Sequence, residues 1–286
     1  MKKFLSLMFA VALVCSLSAP TFASENHIAS FSTSKVINEY EALKQLATTS
    51  PSALMANGYT NEEISSIQNY QELYRDHIRF LQSLDSTALS KHGYTPSQIN
   101  LIKNFTGTDA EMRAIGSKVT ISASTSNFSW TAGSRTTGRL RYTWEWDGVP
   151  AFKNNDVLAV SWNDWNVTYN TSQVKYYNVN TGDYYTSAAA TLIYPTGNLK
   201  TLGAGHRFPV AMSDNYYYTR EGMGTFTISS DVFAKKDFIS FLEYGHIRLK
   251  AEVGFSVSVG GADASISFTV ASIPAGDTSC EYFWPS

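Results

Sequence analysis

The chain has 286 residues, 22 Lys plus Arg against 24 Asp plus Glu, and a formal charge of −2. Its basic residues never cluster beyond pairs such as Lys235-Lys236, which excludes the electrostatic footprint of a nucleic-acid binder. Two cysteines, 14% aromatic residues and no apolar run of membrane-spanning length exclude a disulfide scaffold and a helical membrane protein.

Residues 1–23 read as a signal peptide. Lys2 and Lys3 form a positive n-region, Phe4 to Leu17 is a short apolar run, and Thr21-Phe22-Ala23 supplies a cleavage site near Ala23. Val14 stands before Cys15 where a lipobox needs a small residue, so lipid anchoring at Cys15 is set aside. Export is the expectation. Cleavage removes two lysines and Cys15, which moves the charge to −4 and leaves Cys280 without an intrachain partner. Residues 24–35 read as a linker.

Over 36–116 the sequence predicts a helical repeat of two helix-turn-helix units of about 35 residues each. Ala53-Leu54, Gly58-Tyr59-Thr60, Ile64, Ile67 and Asn69-Tyr70 return as Ala88-Leu89, Gly93-Tyr94-Thr95, Ile99, Ile102 and Asn104-Phe105. In each copy a cap (Ser50, Asp85) opens a short helix and a glycine (Gly58, Gly93) closes it. Thr60 with Glu63, and Thr95 with Gln98, have capping-box spacing, and Tyr59 and Tyr94 stand where hydrophobic staples belong. Ile64, Ile67, Tyr70, Tyr74, Ile78 and Leu81 make an amphipathic stripe, and a last short helix ends at Gly116. Capping and packing account for nearly every repeated position, so the repeat specifies shape rather than chemistry.

From 117 to 273 the pattern changes to period two. Leu140, Tyr142, Trp144 and Trp146 share one face of a strand, and Arg139, Arg141, Thr143 and Glu145 share the other. Val157 to Trp162 reads as a buried strand; further strands are expected over 172–179, 184–194, 224–230, 247–259 and 264–270. Asp231 has the position of a cap for a helix or irregular crossover near 231–243, and 274–286 is left as a C-terminal tail. The fold class is therefore α+β in segregated domains, a helical repeat followed by an antiparallel, sandwich-like all-β domain.

No histidine pair has metal-ligand spacing, no Gly-x-Ser-x-Gly elbow exists, and no acidic calcium loop is present, so neither catalytic residues nor a metal or cofactor is assigned. Trp144 and Trp146 lie on an apolar face and are assigned to the core. Trp165, set among Asn and Asp, and the run Tyr216-Tyr217-Tyr218 are the candidate ligand-binding platform, with His206 and His246, each preceded by glycine, beside them. A cell-wall glycan or a surface protein is the expected partner. Leu249 to Val259 and Ala264 to Val270 alternate strictly around Gly260-Gly261-Ala262-Asp263, so a membrane-active, pore-forming hairpin over 249–270 is the second reading; a secreted hydrolase is the third.

Trp144-Glu-Trp146, Pro150, Asp156-Val-Leu-Ala-Val-Ser-Trp162, Gly203-Ala-Gly205 and Tyr244-Gly-His246 together resemble a set of uncharacterised exported proteins of Gram-positive bacteria. The resemblance covers most of 118–270 and implies export, but neither an activity nor site residues.

Overall fold

The structure, a computed structural model, describes residues 32–283 apart from 57–58, 130–133, 154, 163, 198, 214–215, 234–236, 248–254, 261–262 and 269–271. The signal segment, the Gly58 cap and the Gly261-Ala262 turn lie outside the described residues, as do the Glu63 and Cys280 side chains.

The chain opens with a strand. β1 (Ser32–Asn38) leads into α1 (Glu39–Ala47), α2 (Pro51–Ala56), α3 (Asn61–Gln68), α4 (Tyr70–Ser83), α5 (Ser86–Lys91), α6 (Pro96–Lys103) and α7 (Asp109–Ile115). Strands then follow: β2 (Lys118–Ser129), β3 (Arg135–Asp147), β4 (Asn155–Trp162), β5 (Trp165–Asn178), β6 (Tyr184–Ala188), β7 (Thr191–Ile193), β8 (Gly203–Pro209), β9 (Tyr217–Phe233), β10 (Asp237–Ile247), β11 (Phe255–Gly260), β12 (Asp263–Phe268) and β13 (Ser272–Phe283).

Local chemistry explains the helix ends. Asn38 accepts from the N–H of Glu41 and Asp85 from that of Ala88, while Thr95 with Gln98 and Thr108 with Glu111 form complete capping boxes. Gly93 has φ +94°, the left-handed conformation that ends a helix and suits glycine. The stripe from Ile64 to Leu81 is not one helix. It breaks at Asn69, whose φ −97° and ψ 23° separate α3 from α4; a short amide side chain tolerates that departure.

Six strands form one sheet in the order β1-β2-β3-β9-β5-β6, and five form a second in the order β13-β10-β4-β8-β7; every pairing is antiparallel. Among the described residues β11 and β12 pair with each other as a two-stranded sheet. Alternation on β2 and β3 sends Val119, Ile121, Leu140, Tyr142, Trp144 and Trp146 inward, where they meet Leu158, Val160, Phe208, Leu242 and Tyr244 of the second sheet in one core. The expected strand over 184–194 is two: β6 belongs to the first sheet and β7 to the second, so the chain crosses between layers near Ala189.

Four expectations are corrected. Residues 32–35 are not linker, since β1 pairs along its whole length with β2 from Ser32↔Ser124 to Asn38↔Lys118. The C-terminal tail is largely β13, paired with β10. No helix follows Asp231: β9 continues to Phe233, and β10 begins at Asp237, with Phe238 buried on its inner face. Nor are the layers segregated. The helical core of Tyr40, Leu43, Tyr74, Ile78, Leu89 and Tyr94 is completed by Val149, Val179 and Tyr218 from the strand region. An amphipathic helix stripe has to be covered by something, and here the sheets cover it.

Two glycines of β9 make the core possible. Gly222 and Gly224 lie opposite Trp144 and Tyr142, and a Cβ at either would overlap those rings. Gly222→Ala or Gly224→Ala should therefore lower the urea midpoint by the equivalent of about 2 kcal/mol or more, with Thr225→Ala on the opposite face as a near-neutral control.

Candidate functional site

A surface groove crosses the outer face of the six-stranded sheet, enclosing about 310 Å³. The register builds it in rows. Thr120, Glu145, Glu221 and Lys175 form one row across β2, β3, β9 and β5; Ser122, Thr143, Met223 and Gln173 form the next; Arg141 closes one end. The floor is polar because each of these residues sits at the outward position of an alternating strand.

The groove runs into an aromatic edge. Glu221 accepts from Tyr177 Oη at 2.6 Å and from Lys175 Nζ at 3.0 Å, and Tyr177 meets Tyr184 of edge strand β6 edge-on at 5.7 Å. Arg220 lies over the Tyr177 ring and reaches Glu145 at 3.6 Å. Burial lifts the Tyr177 hydroxyl to about 12, reinforced by the Glu221 carboxylate. Burial acts to raise Glu221 too, but Tyr177 and Lys175 prevail and hold it below its ordinary value. Next along the edge, Tyr185 stacks on Tyr217 with centroids 3.9 Å apart and planes 18° apart. Tyr184, Tyr185 and Tyr216 are 56%, 52% and 59% exposed, whereas the tryptophans Trp144, Trp146, Trp162 and Trp165 are fully buried.

The residues singled out in the sequence separate on this map. Tyr216 and Tyr217 belong to the aromatic edge. Tyr218 does not: it is buried and donates its hydroxyl to His92 Nδ1 at 2.9 Å, while His92 Nε2 donates to the Val179 carbonyl at 2.8 Å. Trp165 is 0% exposed, edge-on to Phe128 and Phe238, so it has no face to offer a sugar and is core rather than platform. The Asn and Asp around it misled, because a strand end carries polar neighbours even when the ring points inward.

Both candidate histidines are buried. His206 lies parallel to Phe226 at 4.8 Å, bonded through Nδ1 to the Tyr142 hydroxyl and through Nε2 to Asn170 Oδ1 at 3.3 Å, and burial pushes it down to about 4. His246 sits between two carboxylates, Nδ1 to Asp156 Oδ1 at 2.8 Å and Nε2 to Glu39 Oε1 at 3.1 Å. Tyr244 donates to Asp156; Tyr74 Oη and the N–H groups of Ala151 and Phe152 donate to Glu39. Burial pulls the imidazolium down, but Asp156 and then Glu39 outweigh it and hold His246 at about 10. With both nitrogens donating there is no lone pair for a metal, and among the described residues no group of three or more His, Cys, Asp or Glu is arranged to hold one. The cluster joins α1 to β4 and β10, and Glu39, Asp156 and His246 are all buried.

The groove was foreshadowed by the second face of β3, where Arg139, Arg141, Thr143 and Glu145 alternate with the core. Tyr184 and Tyr185 carried no signal beyond strand propensity. Among the described residues no helix is long and apolar enough to cross a membrane.

No family model matches this sequence, and no curated relative matches it either. Among solved structures, it is similar to a collagen-binding domain from a Staphylococcus aureus adhesin (6% identity over 51% of this chain and 87% of that one, TM-score 0.27). It is also similar to a pore forming protein (8%, 58% and 84%, TM-score 0.26) and to the collagen-binding subdomain of the Enterococcus faecalis surface protein ACE (8%, 55% and 95%, TM-score 0.26). Likenesses of that size fix neither fold nor function here.

The buried charges set a pH profile. His246, ordinarily 6.5, contributes fully below about pH 6.5, and that contribution fades as pH rises toward about 10. His77, His92 and His206, each depressed to about 4 by burial, contribute above about pH 6.5 and lose it as pH falls toward 4. Urea unfolding across that range should show stability declining on both sides. His246→Gln should cost about 3–5 kcal/mol near neutrality, because two carboxylates stay buried without their cation, and should flatten the alkaline limb.

Proposed function

We propose that this chain is an exported, non-catalytic binding protein that holds a glycan or protein target at the aromatic edge and the adjoining groove. The observation that carries the reading is the exposed cluster of Tyr184, Tyr185 and Tyr216, continued by Tyr177 into a polar groove. Exposed tyrosines offer large, rigid contact area with a polar handle, at low cost in conformational entropy. The signal-like N-terminus and the sequence resemblance support a cell-surface or extracellular setting. His206 and His246 are buried in hydrogen-bond sets with other side chains, which draws weight away from a hydrolase that would use either.

The test is retention of the purified mature chain on bacterial cell-wall and whole-cell fractions. The triple change of Tyr184, Tyr185 and Tyr216 to alanine should abolish retention while leaving the thermal midpoint nearly unchanged. Trp165→Ala should do the reverse, lowering the midpoint while the remaining folded fraction still binds. Retention that survives the triple change removes this surface from consideration.

A second reading, membrane insertion, draws on one specific observation: β11 and β12 form a two-stranded sheet of their own, in register from Phe255↔Phe268 to Gly260↔Asp263. The rest of the proposed hairpin, 249–254 and 269–270, lies outside the described residues. If the hairpin inserts, dye release from phosphatidylglycerol liposomes should occur with the wild type and fall at least about tenfold for Val257→Glu, a charge on the apolar row. An absence of release by the wild type excludes it.

A further inference from the structure

The charges of the groove balance everywhere except at one end. Lys175 is paired with Glu221 and Arg220 with Glu145. Arg141 and Arg139, both exposed on β3, have no hydrogen bond, ion pair or ring contact with any described residue. They lie two residues apart on one face, which places their Cα atoms roughly 6.7 Å from each other.

Their surroundings are neutral and hydroxylic. Arg141 is flanked across the strands by Ser124 and Thr225, with Thr171 beyond; Arg139 is flanked by Ser126 and Thr227, with the exposed Tyr169 beyond. The nearest carboxylates on the face are two rows off and already met: Glu145, two rows from Arg141, faces Arg220, and Asp231, two rows from Arg139, faces Arg135. Two unpaired guanidiniums on a chain of net negative charge are therefore concentrated at one spot. Each presents a planar fork of donors that matches a carboxylate, sulfate or phosphate with two parallel bonds.

We infer that the groove takes an acidic glycan strand, with one anionic group on Arg141, the next on Arg139, and sugar hydroxyls on the row of Ser122, Thr143 and Gln173. This names the ligand class for the site of the binding reading above and rests on that reading. The lining favours a glycan over an acidic peptide: beside the paired charges Lys175, Glu221 and Glu145 it offers the hydroxyls of Thr120, Ser122 and Thr143 and the Gln173 amide, Met223 and Trp144 are its only large apolar side chains, and it leads to the exposed Tyr184. A peptide would instead need apolar pockets for alternate side chains.

The test uses the full mature chain and defined probes: an oligogalacturonate octamer (carboxylate), a heparin-derived octasaccharide (sulfate), a glycerol-phosphate oligomer (phosphate), maltooctaose (neutral) and an oligoglutamate peptide. At least one acidic polyol should bind, more weakly as salt is raised, and maltooctaose should not. Arg141→Gln should weaken that binding about tenfold, the loss of one charge-assisted pair, and Arg139→Gln with Arg141→Gln should weaken it further. Both residues are exposed, so unchanged circular dichroism and midpoint are expected for both variants. Which acidic probe binds best identifies the anionic group.

Binding of the acidic probe that is unchanged in the double variant overturns the inference, and so does oligoglutamate binding as tightly as the saccharide. If no acidic probe binds while cell-wall retention persists and still depends on the tyrosines, the ligand class is wrong and the binding reading stands. If retention is absent as well, both fall.

Discussion

The imidazolium of His246, caught between Asp156 and Glu39, is the interaction on which the arrangement of the layers depends. Glu39 is the first residue of α1, Asp156 lies near the start of β4, and His246 is near the end of β10. A buried carboxylate is tolerable only when its charge is met and its lone pairs are filled. Glu39 meets that demand with one histidine, one tyrosine and two backbone N–H groups, contributed by three separate parts of the chain. The first helix therefore cannot lift from the sheets without stranding a charge, and the 151–152 segment is held by the same carboxylate. Apolar contact alone would let the helical layer slide; a buried charge with fixed donors gives it one position.

This cluster also explains the part of the fold that could not be read from the chain. Local signals were legible because they are local. The box at Thr95-Gln98, the glycine at Gly93 and the alternation along β3 each depend on residues within a few positions. Glu39 is one acid in the first turn of α1, and Asp156 one of 24 Asp and Glu in the chain. Their meaning rests on a histidine far downstream, and no spacing rule connects them. The same applies to β1, whose serines and threonines read as linker until a partner strand is supplied by β2.

The aromatic residues divide along a similar line. Pattern placed Trp144 and Trp146 inside correctly, because alternation is informative in mid-strand. It failed for Trp165, which opens β5 beside polar neighbours, and it could not separate Tyr216, exposed just before β9, from Tyr218, buried inside it. The groove was half visible, as the polar row of β3. Its depth comes from three neighbouring strands whose order, β2-β3-β9-β5, is far from sequential.

The separation between Glu39 and His246 has a kinetic side. Their contact spans 207 residues, and β1 waits for β2 across the whole helical segment. Loop closure over such distances is slow, so local helices form early while the long pairings come late. A chain emerging from its N-terminus thus makes its capped helices first and holds Glu39 hydrated until β4 and β10 exist to receive it. Only then does the carboxylate give up water. The step that locks the helices to the sheets is also among the last in assembly, and it commits the whole chain at once.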